Sequence, residues 1–132
     1  MNRIALLTAL LLLPILLLLP IVASSSAMAA TASCLRITPA QQHAQAQVIF
    51  DGVALDNATP TGIQRFRVTR YLKSHGPRVL RVNTGNVRRA DGTGSVTSVS
   101  IMVTRGQRWR IFARGNPTKV LLTNACNGSH RL

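Results

Sequence analysis

The chain has 132 residues, room for one domain behind a leader. Its formal charge is +13, from 16 Lys+Arg against 3 Asp+Glu, and it contains no Glu. Three scattered acids (Asp51, Asp56 and Asp91) argue against a paired-carboxylate active site. The imbalance favours anionic partners such as polysaccharide, lipid headgroups or nucleic acid. The plainer alternative is a solvated basic surface with no partner of its own.

Residues 1–32 read as a signal segment. Arg3 supplies the positive start, and an apolar run over 4–22 is broken only by Thr8, Pro14 and Pro20. Ala27-Met28-Ala29 and Ala30-Thr31-Ala32 both fit a small-x-small cleavage site, so the sequence predicts export and cleavage after Ala29 or Ala32. The apolar run exceeds the usual length of about 7–15 residues, which keeps open an uncleaved anchor over 4–22. A lipid-modified Cys34 is a weaker third option, because Thr31 stands where such a site has an aliphatic residue. Cleavage after Ala32 leaves residues 33–132, with 15 basic and 3 acidic residues. A domain of that size can bury a core but gains from a covalent tie. Cys34 and Cys126 are the only cysteines, with no Cys-x-x-Cys. Together with export they point to one structural disulfide, two free thiols being the alternative.

Thr38-Pro39-Ala40-Gln41 predicts a helix start: Thr38 can cap, Pro39 suits the first position and Gln41 completes a capping box. The helix is short, exposed and ends near Gln45. Residues 47–55 predict a strand with Val48, Phe50 and Gly52 on one face, and Gly52 marks a bulge or bend. Residues 62–72 predict a second, with Phe66, Val68 and Leu72 facing in and Arg65, Arg67, Thr69 and Tyr71 facing out. A third runs over 78–84, with Leu80 and Val82 opposed to Val79 and Arg81. Residues 88–94 read as a loop. The β-branched run over 95–104 predicts a fourth strand, and 107–114 a fifth, with Trp109, Ile111 and Ala113 inward and Arg108, Arg110, Phe112 and Arg114 outward. A last short strand over 120–124 leads to Cys126. One short helix and about six short strands at turn-delimited spacing predict an all-β fold, a small five-to-six-stranded barrel.

Several of these pieces occur together in one family. Cys34 just after the signal precedes the Thr38-Pro39 helix start and Ala46-Gln47-Val48-Ile49-Phe50-Asp51-Gly52-Val53. Phe66-Arg67-Val68, Lys73, Gly106-Gln107-Arg108-Trp109-Arg110-Ile111-Phe112-Ala113 and Leu121-Leu122-Thr123-Asn124-Ala125-Cys126 follow. This order resembles the netrin-like OB-fold domain of the tissue inhibitors of metalloproteinases, in the single-domain form of bacterial relatives, over nearly all of residues 33–132. The resemblance implies an OB-fold-like barrel and a Cys34–Cys126 disulfide. The family usually opens with Cys-x-Cys; Ala32 stands where the first cysteine would be, and residues 95–104 lack its usual partner. In inhibitory members that first cysteine's amine and carbonyl chelate the target's zinc. The resemblance therefore implies the fold and the clasp, and the expectation is that zinc metalloproteinases are not inhibited by amine chelation.

No Gly-x-Ser-x-Gly, His-Glu-x-x-His or phosphate-loop motif occurs. His43, His75 and His130 lack metal-ligand spacing. Catalytic residues, metals and cofactors are accordingly not expected. Gly92-Thr93-Gly94-Ser95 could cradle an anion, although a turn explains it equally. Asn127-Gly128-Ser129 is a glycosylation sequon. The basic residues carry the stronger signal. Arg65 and Arg67 share one outward strand face, and Arg108, Arg110 and Arg114 another, with Tyr71 and Phe112 among them. OB-folds bind oligonucleotides or oligosaccharides on such faces. The expectation is an exported, monomeric, non-enzymatic module. Its partner would be an extracellular or periplasmic protein, a protease included, or a polyanionic glycan, with no specific nucleic acid.

Overall fold

The computed structural model describes Cys34 and residues 37–132. The expectations about the leader, its cleavage and Ala32 lie outside the described residues.

Helix α1 (Pro39–Gln45) forms where the capping box predicts it. The Gln41 amide donates to Thr38 Oγ1 at 3.2 Å, and the Thr38 amide donates to Gln41 Oε1 at 2.8 Å. Two otherwise orphaned donors are thus satisfied reciprocally. At the other end Lys73 Nζ donates to the carbonyls of His43 (2.8 Å) and Ala44 (3.4 Å). A cation on the last carbonyls is the favourable arrangement for a helix C-terminus, and here it ties α1 to a strand.

The rest is mostly β. Strands β1 (Val48–Ala54), β2 (Ile63–Lys73) and β3 (Val79–Asn83) are followed by the two-residue strands β4 (Val87–Arg88) and β5 (Gly94–Ser95). Then come β6 (Arg108–Ala113), β7 (Val120–Leu122) and β8 (His130–Arg131). Six of these form one curled sheet in the order β7-β3-β2-β1-β6-β8, and β4 pairs with β5 as a separate hairpin. All pairs in the curled sheet are antiparallel except β3 with β7. Just past β6, Arg114 meets Leu122 of β7 through two backbone hydrogen bonds of 2.9 Å, which curls the β7 edge round to the end of β6.

The concave side holds the core: Phe50, Phe66, Leu80, Val82, Ile111 and Leu121 are fully buried, with Trp109 at their margin. The Phe50 and Phe66 rings meet edge to face, centroids 6.0 Å apart, the geometry favoured by the ring quadrupoles. β3 and β6 present the faces that their alternation predicts, and β1 turns Val48 and Phe50 to the core, although its other face is largely covered too.

β2 departs from expectation. Its register against β1 slips twice, between Asp51 and Gly52 and between Ile49 and Phe50, leaving Thr69 and Leu72 as extra residues on β2. Each extra residue inverts the alternation that follows. Tyr71 therefore turns towards the core beside Phe50, and Leu72, predicted inward, is exposed. Gly52 lies at the first slip, as its mid-strand position predicts; a Cβ there would stand 2.9 Å from the Arg67 carbonyl oxygen.

The predicted strand over 95–104 is a second correction. Only Ser95 belongs to a ladder, and residues 96–104 join neither sheet. Ile101 and Val103 are nevertheless buried in the core. Buried polar side chains replace the missing ladder. Gln64 Nε2 donates to the Val103 carbonyl (3.1 Å) and to the Asp56 carbonyl (3.1 Å), while its Oε1 accepts from Thr84 Oγ1 (2.7 Å). The Ile101 amide donates to the Thr84 carbonyl at 3.0 Å. A segment this buried needs its backbone groups paired, and side chains serve as well as a neighbouring strand. The β4–β5 hairpin, read in the sequence as a loop, and β8 are the elements that sequence reasoning missed.

Cys34 and Cys126 form a disulfide across a sequence separation of 92, with Cα atoms 5.1 Å apart, so the pairing expected of them is present. Cys126 rides on a short 3-10 turn (Ala125–Asn127) whose start is capped by Asn124 Oδ1, which accepts from the Cys126 amide at 2.9 Å. Among the described residues no helix is long and apolar enough to cross a membrane.

Candidate functional site

The convex side of β3, β2, β1, β6 and β8 carries most of the basic residues singled out in the sequence. Paired residues in a sheet share a face, so register alone places them. Across the strands, Val79 pairs Arg67, Arg67 pairs Val53 and Val53 pairs Arg108. One step to one side Arg81 pairs Arg65. One step to the other, Arg70 pairs Asp51, Asp51 pairs Arg110 and Arg110 pairs His130.

The five arginines named from the sequence do not act alike. Arg65 is held by Asp56, with Nη2 to Oδ1 at 2.7 Å and Nε to Oδ2 at 2.9 Å, and its own amide also donates to Oδ2 at 2.8 Å. Arg110 is held by Asp51, with Nε to Oδ1 at 2.7 Å and Nη2 to Oδ2 at 2.9 Å. Arg70 adds a third guanidinium bond to the same carboxylate at 3.1 Å. The Asp51 side chain is only 8% exposed, so its charge is stabilised by these guanidiniums more than by water. Hydrogen bonding from Arg110, ahead of the opposing effect of burial, holds the Asp51 carboxyl below its ordinary range, and Arg65 does the same for Asp56. Arg114 stands apart, at the join of β6 and β7, where Nη2 donates to Gln45 Oε1 at 3.2 Å.

Arg67 and Arg108 are different. Both are exposed, flank Val53 on the same face, and have no acidic partner among the described residues. Arg81, across from Arg65 on the same face, is likewise exposed and without an acidic partner among the described residues, although the sequence did not single it out; Arg70 was also missed. Arg81 was legible from the alternation of β3. Arg70 was not, because only the bulge at Thr69 turns it outward.

Of the two aromatic residues predicted on this face, Tyr71 leaves it. Trp109 is buried, and Tyr71 turns inward, where its hydroxyl donates to the Pro77 carbonyl at 2.8 Å and burial raises its pKa. Phe112 stays outward but is half covered, its ring 6.5 Å from that of His130.

Two other motifs find structural employment. Asp91 Oδ1 accepts from the Thr93 amide (2.9 Å) and hydroxyl (2.6 Å), an Asx-type turn that shapes the Gly-rich hairpin. Asn127 of the sequon has its amide nitrogen on the Phe112 carbonyl at 2.7 Å, while Oδ1 accepts from the Ser129 hydroxyl at 3.2 Å. None of the known family models, curated proteins or solved structures matches the chain.

Proposed function

We propose that this protein is an exported, non-enzymatic module that binds a polyanionic glycan or similar surface polymer through the convex face of its curled sheet. The observation that carries the reading is the row Arg67–Val53–Arg108 with Arg81 beside it: three exposed guanidiniums without acidic partners on one rigid surface. Adjacent strands lie about 4.8 Å apart, so Arg67 and Arg108, two strands apart, are spaced by about 10 Å. Neighbouring ion pairs support the row, because Asp51 and Asp56 are already occupied by other arginines and do not compete for it.

The chemistry favours a polymer without bases. Single-stranded nucleic acid is usually held by aromatic platforms as well as by charge, and Trp109 and Tyr71 are withdrawn from the face. The Cys34–Cys126 disulfide is the kind of bond that persists in oxidising compartments, which supports export. The sheet order and the Arg114–Leu122 bridge support assignment to a small OB-fold-like barrel, the architecture that the netrin-like resemblance implies.

The test is retention of the oxidised protein on a sulfated-polysaccharide column. The double variant Arg67→Ser/Arg108→Ser should elute at lower salt than Lys119→Ser/Arg78→Ser, which removes the same charge from outside the strands. Counterion release should make the salt slope shallower by about one for each arginine taken from the row. Equal elution of the two variants would mean that bulk charge alone is responsible and would refute the site.

A further inference from the structure

Residues 99–104 run past the core without joining a sheet. Ile101 and Val103 point inward, and Met102 between them is 61% exposed. On either side, the Ile101 amide reaches the Thr84 carbonyl, and the Val103 carbonyl accepts from Gln64 and from Asn86. The N–H and C=O of Met102 have no protein partner among the described residues. A stretch whose side chains alternate between core and solvent, with an unpaired donor and acceptor beside an exposed apolar side chain, offers what an open strand edge offers.

This edge borders a groove of about 560 Å³ lined by Ala58, Val87, Arg88, Val96 and Met102, among others. Val96 is itself 53% exposed, so the groove has apolar walls facing solvent. Its rim is basic. Arg88 lines it, Arg89 follows in the chain, and exposed Arg105 succeeds the lining residue Thr104, its amide donating to Asn57 Oδ1 at 3.0 Å. Of the two acids nearest in sequence, Asp56 is held by Arg65 and Asp91 by Thr93.

We propose that this groove receives an extended acidic segment of a partner protein, which adds a strand against Met102 and seats an apolar side chain between Val96 and Met102. Strand addition supplies main-chain hydrogen bonds for affinity and alternating side-chain contacts for selectivity. The charge decides the sign of the partner: acidic side chains on the outward positions of the added strand would meet Arg88 and Arg105. It also argues against a second copy of this chain, because two edges flanked by arginine on a protein of net charge +13 repel each other. The site is distinct from the convex row of Arg67 and Arg108 and does not depend on it.

The experiment titrates isotope-labelled, oxidised full-length protein with a seven-residue synthetic peptide alternating glutamate and valine, followed by amide resonances. The peptide is expected to shift Met102 and Val103 and to slow exchange of the Met102 amide. N-methylating the peptide groups on its pairing edge should weaken binding about fivefold, the scale of the one hydrogen bond that a peptide N–H would give the Met102 carbonyl. Arg88→Ser/Arg105→Ser should weaken it too, and Arg67→Ser/Arg108→Ser should leave it unchanged. The same peptide with lysine in place of glutamate should not bind. The proposal is overturned by absence of shifts at millimolar peptide, by shifts confined to the convex arginines, by equal binding of the N-methylated peptide, or by self-association through Met102.

Discussion

Asp51 shows how much one side chain can organise. It is the only acid on the central strand, and its carboxylate collects Arg110 from one neighbour and Arg70 from the other. Removing it leaves two guanidiniums side by side without a counter-charge. Asp51→Asn should cost about 2 kcal/mol, the scale of hydrogen bonds to charged groups, since both arginines remain partly hydrated. The pH dependence has a definite sign. The folded-state pKa values of Asp51 and Asp56 lie below the ordinary 3.8, so the unfolded chain takes up these protons first. Their stabilisation is complete above the ordinary value and is lost as pH falls through the folded pKa values. Urea midpoints of the native protein should fall below about pH 4, and those of Asp51→Asn should fall less steeply. Parallel acid limbs for the two proteins would show that Asp51 contributes nothing to the acid sensitivity. Gly52, next along, illustrates a steric requirement in place of an electrostatic one: the β1–β2 register slip leaves no room for a side chain.

Among the elements, the segment over 96–104 depends most on tertiary context. Its two core residues are anchored by Gln64 and Thr84, both fully buried, with no ladder behind them. Gln64→Ala would strand the carbonyl of Asp56, leave the Val103 carbonyl only its 3.5 Å contact with Asn86 Nδ2, remove one partner of the Thr84 hydroxyl, and open a small cavity. The expected loss is about 3 kcal/mol. Hydrogen exchange should locate it: the Ile101 amide on Thr84 and the Ala125 amide on Val99 should exchange faster, while β1 and β6 change less. A uniform change across the sheet would contradict this local anchoring. The same arrangement leaves Met102 outward and its backbone open. β2 makes the complementary point: its two bulges bend a long strand around the core and send Arg70 outward and Tyr71 inward.

At the scale of the molecule the disulfide dominates. It joins residues 92 positions apart, so it closes nearly the whole described chain into one loop. The chain-entropy model assigns such a loop about 4–5 kcal/mol, a large share of the stability of a domain of this size. Cys34→Ser/Cys126→Ser should lower the unfolding free energy by about that amount, and the reduced native protein should match the double variant in urea. Equal midpoints with and without reductant would show that the clasp adds nothing. The bond also ties the chain preceding α1 to the turn beyond β7, close to Arg114.

Where a structural signal is local, the sequence alone determined it. The capping box starts α1 because its four residues bond one another. The period-2 alternation of β1, β3 and β6 assigns their inner faces because side chains alternate along any strand. With two cysteines the sequence allows a single pairing, and the fold realises it by bringing their Cα atoms to 5.1 Å. Tertiary structure decided whatever depends on a distant partner. The extra residues at Thr69 and Leu72 exist only relative to β1, so nothing in β2 itself shows where its alternation inverts. The β-branched run over 96–104 has the composition of a strand but no strand beside it, and its backbone is paired by side chains from elsewhere in the fold. The convex arginines look equivalent in sequence. Asp56, nine residues from Arg65, and Asp51, 59 residues from Arg110, make them unequal, because an ion pair forms where the sheet register brings opposite charges together, whatever their separation along the chain.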